Sequence, residues 1–132
     1  MRREQRLRRG VDFDRVRANR RSWAHPLLVC YEQFRGDSEP TRVGIVVGRR
    51  VGKAATRNRI KRRIREISRA LYPQLHPGYD LVVIARQPSA GAALSDLFTA
   101  LESVITRLTV GRGLSEARTR GTDKAVVQKD AT

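Results

Sequence analysis

The chain is expected to fold as one α+β domain, with helices packed against a small sheet. Three observations lead there. Residues 42–71 pass from an apolar, β-branched run into a helix with a single apolar stripe. Two further runs, LLVCYEQF at 27–34 and YDLVVIAR at 79–86, have the aromatic and β-branched content of strands. A second amphipathic helix follows at 94–108. The order helix, strands, helix, strand, helix suits one layer of helices on one sheet. A length of 132 residues fits a single domain and can bury a core without covalent staples.

Taken in order, residues 1–8 form a basic arm, mobile at its start. Residues 11–19 form a short helix. Phe13 and Val16 lie three apart on one face, and Asp12 and Asp14 suit the positive end of the helix dipole. The strand at 27–34 leads into a turn cluster, RGDSEPT at 35–41, with Gly36, Asp37, Ser38 and Pro40. A second strand runs from 42 to 48, and so short a connection predicts that the two strands are antiparallel neighbours.

The helix at 55–71 carries Ile60, Ile64, Ile67 and Leu71 at i, i+4, i+7 and i+11, which makes one core-facing stripe. Asn58, Arg62, Arg65 and Arg69 line the opposite side, flanked by Lys61. Pro73, Pro77 and Gly78 end the helix. The unbroken apolar run from Leu81 to Ala85 predicts a strand covered on both faces, central in the sheet. After a small-residue loop at 87–93, the helix at 94–108 buries Leu94, Leu97, Leu101, Val104 and Leu108, with Phe98 and Ile105 beside them. Residues 111–132 have no periodicity and few large apolar groups, and are expected to be a disordered tail to a domain spanning 1–110.

The formal net charge is +15. Self-repulsion of that size favours a neutralising polyanion, and nucleic acid is the default. An anionic membrane surface is the weaker reading, because no segment joins a large apolar face to aromatic anchors, and no membrane partner is expected. Among the basic residues only Lys53, Lys61, Lys124 and Lys129 are lysines. Arginine binds phosphate bidentately and stacks on bases, which suits RNA. Cys30 is the only cysteine, so it forms no disulfide within the chain and is read as core filler. The start MRREQRLRRG lacks the apolar segment of a secretory signal, and no stretch has the length of a membrane span; the expected compartment is the cytoplasm.

Eleven of the 28 residues from 42 to 69 are Lys or Arg, and only Glu66 is acidic. Within this stretch GRRVGKA, at 48–54, sits where a phosphate-cradling loop would sit. It is one residue short of that spacing, and Ala54 replaces the hydroxyl that would hold magnesium. A nucleoside triphosphate site is rejected. The glycines instead let the backbone and the side chains of Arg49, Arg50 and Lys53 approach a nucleic-acid backbone. His25 and His76, the only histidines, stand beside or one residue from prolines and have no ligand-spaced partners. No catalytic side chain and no metal site is assigned to this chain.

The strand RVGIVV at 42–47, the loop GRRVGKA and above all TRNRIKRRIRE at 56–66 resemble the protein subunit of bacterial ribonuclease P. The shared pattern is Arg57-Asn58-Arg59, Lys61-Arg62 and Arg65-Glu66 on one helix. It extends to RLRRGVDFDRV at 6–16 and ARQPSA at 85–90, and so covers roughly residues 6–108. The resemblance implies a four-stranded sheet of αβββαβα order with a left-handed βαβ crossover, the ribosomal protein S5 domain 2-like fold. The general rule favours the other hand.

The resemblance also implies the work. The holoenzyme hydrolyses a phosphodiester in precursor tRNA to remove the 5′ leader. The RNA subunit catalyses with Mg held mainly by RNA and substrate, and no obligate protein partner is needed. Arg57, Asn58, Arg59, Lys61, Arg62 and Arg65 match positions that would dock on the catalytic RNA. The 5′ leader would lie between the first helix and the sheet, with Phe13 as a stacking platform and Tyr31 as a second. Arg49, Arg50, Lys53 and Arg86 would reach the leader and tRNA backbone. Arg17 stands where relatives often have a second aromatic and could stack through its guanidinium. Gly48 replaces a residue often basic, and Asn19-Arg20-Arg21 lacks the glycine common after the first helix. The competing readings are a structural RNA-binding protein of ribosomal or RNA-chaperone type and a non-specific nucleoid protein.

Overall fold

The computed structural model describes residues 1–114. Three helices, α1 (Gly10–Ala18), α2 (Ala54–Leu71) and α3 (Leu94–Arg107), pack on a sheet of four strands. These are β1 (Arg21–Ala24), β2 (Leu28–Phe34), β3 (Arg42–Val47) and β4 (Tyr79–Ala85), in the order β1-β2-β4-β3. β2 runs antiparallel to β1 and β4, whereas β3 runs parallel to β4. The α+β class and the four strands agree with expectation.

The expected pairing of the second and third strands does not occur. β4 lies between them, pairing Cys30 with Val83 on one side and Ile45 with Val83 on the other. Its own composition explains this. Leu81, Val82 and Val83 are at most 1% exposed, so β4 has apolar side chains to bury on both faces. A polar-tolerant edge would waste them. β1 is not legible as a strand, because four residues beginning with Arg21 and Ser22 carry no apolar alternation. It forms by pairing Trp23 opposite Cys30 and Ser22 opposite Tyr31.

One face of the sheet holds the larger core. Leu28, Cys30, Val43, Leu81, Val83 and Ala85 meet Ile60, Ile64, Ile67 and Leu71 of α2 and Leu97, Leu101, Val104 and Ile105 of α3. The stripe expected on α2 is buried as a unit, each residue at most 3% exposed. On α3, Leu94 is the exception. It is half exposed because it occupies the first helical position, before the helix settles on the sheet. The other face is covered only in part. There α1 brings Val16 down onto Val29, Tyr31 and Val82, while Phe13, Ala24, Val46 and Ile84 remain half-buried around them. Cys30 is fully buried, and burial followed by the charge of Glu32 pushes its thiol far up.

Both ends of the domain differ from expectation. The basic arm is docked: Leu7 is 4% exposed, its amide donates to Val43 O at 3.0 Å, and Arg6 bridges Val43. Leu7 is the one buried apolar residue in the arm, and it seals the open edge of β3. At the other end, packing runs on to the buried Gly111, where two 3-10 turns within Thr109–Leu114 meet at a kink. The buried carboxylate of Glu32 fastens the first turn, accepting from Val110 N at 2.8 Å and Thr109 N at 3.2 Å. The rest of the expected tail, 115–132, lies outside the described residues.

Candidate nucleic-acid interface

The cationic residues of α2 divide into three rows, because a helix spreads i, i+4 neighbours along one side. Asn58, Arg62 and Arg69 are exposed on the crest, and Arg69 holds Glu66 at 2.6 Å. Arg57, Lys61 and Arg65 form a partly buried row toward β3 and the arm. Arg59 and Arg63 turn the other way, donating to Ala90 O at 3.0 Å and Ala92 O at 3.3 Å. Arg59 therefore has a structural task beside its expected one: it ties α2 to the turn after β4. Arg63, absent from the expected set, does the same.

The expected leader residues gather at one end of the sheet for a topological reason. β3 and β4 are parallel and in register, Val47 opposite Ala85, so the segments that leave the two strands emerge on the same side. After β3 comes a 3-10 turn, Arg49–Val51, and after β4 another, Gln87–Gly91, which packs against it. Val51 is 6% exposed and plugs the core, which leaves Arg49 and Arg50 pointing into solvent. Gly52 has φ +155°, and Lys53 then opens α2 without a side-chain cap. The first turn of α2 adds only Ala54 and Ala55, so its amides and dipole reinforce the positive field of Arg49, Arg50 and Lys53. Arg86 is held beside them, its guanidinium donating to His25 O at 3.3 Å. His25 is occupied in the same turn, its Nδ1 accepting from Leu27 N at 3.0 Å.

On the half-covered face Phe13 lies across β3, its ring over Gly44. Tyr31 is 8% exposed and belongs to the small core under α1, so it presents little ring surface. Arg17 is exposed on α1. A pocket of about 220 Å³ opens at the β3 edge, lined by Phe13, Val43, Ile45, Arg6, Arg8, Lys61 and Arg65. It unites residues expected in two different surfaces, Phe13 from the leader set and Lys61 and Arg65 from the helix set. It adds Arg6 and Arg8, which sequence reasoning left in the arm. Their only signal was their charge, since the contact depends on the arm crossing β3.

Sequence reasoning also missed the polar centre that holds α1. Asp80 is fully buried at the start of β4 and accepts from three arginines. Arg15 donates at 2.7 Å, Arg35 at 2.6 Å, and Arg42 twice at 2.8 Å. Arg15 also binds Asp12 at 2.7 Å. Asp12 is therefore part of this clamp as well as of the helix start. Burial alone would raise the Asp80 carboxyl, but the hydrogen bonds from Arg42 and Arg35 outweigh it and hold it below the usual range. Among the described residues no three His, Cys, Asp or Glu side chains are grouped to hold a metal ion. No described helix is long and apolar enough to cross a membrane.

Comparison with known proteins fits this geometry. The family model for ribonuclease P matches residues 1–109. A protein of Herpetosiphon aurantiacus named ribonuclease P protein component is 41% identical over 105 residues, 80% of this chain and 85% of that one. The ribonuclease P protein of Staphylococcus aureus superimposes with a TM-score of 0.74 at 31% identity, covering 80% of this chain and 96% of its own. That of Thermotoga maritima gives 0.68 at 30% identity, with 81% and 96% covered. The chain belongs to the ribonuclease P protein family and is a protein component of that tRNA-processing endoribonuclease.

Proposed function

We propose that this protein works by holding two RNAs at once: the catalytic RNA subunit on α2 and the 5′ leader of precursor tRNA on the half-covered sheet face. The observation that carries the reading is the arrangement of the sheet. One face is filled by α2 and α3, which leaves the crest of α2 free to meet a polyanion. The other face is only partly roofed by α1, with Val46, Ile84 and Ala24 half-buried beside Phe13. A groove with an apolar floor and arginines at its end suits unpaired nucleotides, which stack on aromatic rings at about 1–3 kcal/mol per base whatever their sequence. Arg49, Arg50, Lys53 and Arg86 would track the leader and tRNA backbone, and Arg17 would stack or pair from α1. Asn58 and Arg62 would meet the catalytic RNA directly.

The phosphodiester hydrolysis is assigned to the RNA subunit. Magnesium would supply charge stabilisation there, bound by RNA and substrate. The described carboxylates do not form a donor set for it, and Asp12, Asp37 and Asp80 are engaged by guanidinium groups. The cytoplasm, where precursor tRNA and the RNA subunit would be met, is the compartment we assign. Family membership favours this reading over a structural ribosomal or RNA-chaperone role. The test is reconstitution with a bacterial catalytic RNA at limiting magnesium. Addition of the protein should speed cleavage at the tRNA 5′ boundary, and the protein alone should cleave nothing. Cleavage by protein alone, or no stimulation of the RNA, would overturn the proposal.

A further inference from the structure

We infer that Gly44 is a positioning residue for the leader site: its missing side chain is the seat in which the Phe13 ring rests. The inference builds on the leader reading above and concerns what places the ring. Gly44 is the third residue of β3, pairs with Val82 of β4, and faces α1. A Cβ built on it would stand 2.5 Å from both Cε2 and Cζ of Phe13 and 3.2 Å from the Cβ of Leu7. A real carbon contact needs about 3.5–4.0 Å. Nothing in the backbone demands glycine there, since Gly44 is not among the positive-φ glycines. The requirement is thus for space, and the atoms that fill the space are the far edge of one aromatic ring.

The neighbouring groups fix the direction in which the ring would yield. α1 is clamped to the sheet by Arg15 on Asp80 of β4 and by Asp12 beside Arg42 of β3, so the helix carrying Phe13 resists lifting. Leu7 blocks the side of the arm. A methyl at position 44 therefore drives the ring toward the edge pocket that it lines with Ile45, Lys61 and Arg65, and away from the groove beside Val46 and Ile84 where a leader base would stack. A small substitution buried on β3 acts on the leader through Phe13, without itself touching RNA.

The test uses the reconstituted holoenzyme, a leader-bearing precursor tRNA and the corresponding mature tRNA. The leader increment is the ratio of their dissociation constants. Gly44→Ala should reduce that increment roughly five-fold or more, part of one base stack. Phe13→Leu should reduce it similarly, and the double variant should lose no more than Phe13→Leu alone. A 2-aminopurine placed in the leader should lose its stacking-dependent quenching in Gly44→Ala. If Gly44→Ala does not fold, adding Phe13→Leu must restore folding, because it removes the overlapping ring atoms. The inference is overturned by an unchanged increment in folded Gly44→Ala, by a loss shared equally with mature tRNA, by additive losses in the double variant, or by a double variant that remains unfolded. An intact increment in Phe13→Leu would overturn the leader reading itself and this inference with it.

Discussion

Asp80 shows how one residue in a polycation can decide where the charge goes. Its carboxylate takes hydrogen bonds from Arg15, Arg35 and Arg42, so those three arginines are committed to the fold while Arg62 on the crest of α2 and Arg49 and Arg50 in the 49–53 loop stay exposed. Breaking a buried ion pair by removing one partner costs about 3–5 kcal/mol. Asp80→Asn should cost that much at neutral pH, read from urea midpoints. The sign of its pH dependence comes from the depressed carboxyl: the contribution is complete above the ordinary aspartate value of 3.8 and is lost as pH falls through the lower folded value. The difference between wild type and variant should therefore be constant from neutral pH down to that region and narrow below it. Arg20 makes the opposite kind of statement. It has φ +63°, the left-handed conformation that glycine adopts freely, at the turn where the family resemblance leads one to expect glycine. Arg20 holds this conformation at a cost, beside Asn19, whose Nδ2 donates to Glu32 O at 3.0 Å. Arg20→Gly should raise stability by up to about 1 kcal/mol in thermal unfolding, the relief of left-handed strain less the entropy of glycine.

At the scale of elements, α2 is the part most legible in the sequence. Its two faces are set by residues within 18 positions of one another, so periodicity alone gives the buried row of Ile60, Ile64, Ile67 and Leu71 and the exposed crest of Asn58, Arg62 and Arg69, whereas Arg65, expected on the crest, is partly buried toward the arm. If the crest neutralises phosphates, log affinity for the catalytic RNA should fall linearly with log salt, at about −0.7 to −0.9 per contact. Arg62→Ala should flatten that slope by about one contact, and an unchanged slope would mean that Arg62 faces water in the complex. Arg69→Ala should do less, because Arg69 already shares its charge with Glu66. The features hidden from the sequence are those that depend on pairing at long range. The place of β4 between β2 and β3 was half legible: its apolar run foretold a central strand, but the short 35–41 connection suggested a neighbourhood that does not form. β1 has no pattern of its own and exists because β2 offers it an edge. The pocket at β3 draws on Met1, Arg6, Leu7 and Arg8 of the arm, Phe13 of α1, Val43 and Ile45 of β3 and Lys61 and Arg65 of α2, and no local spacing announces that meeting.

For the whole molecule, the sheet separates two tasks. The face under α2 and α3 is a core, and it turns the cationic crest outward. The opposite face is a partial core, with α1 roofing Val29, Tyr31 and Val82 and leaving Phe13, Val46 and Ile84 at a groove. The parallel register of β3 and β4 then sets Arg49, Arg50, Lys53 and Arg86 at one end of the molecule. The docked arm, which closes the β3 edge with Leu7, places Arg6 and Arg8 where the two faces meet. The most direct test of this division measures dissociation constants for leader-bearing precursor and for mature tRNA, with the catalytic RNA alone and with the reconstituted holoenzyme, at one fixed salt and magnesium concentration. The account predicts that the protein tightens binding of the precursor much more than that of mature tRNA. Equal tightening of both would contradict it.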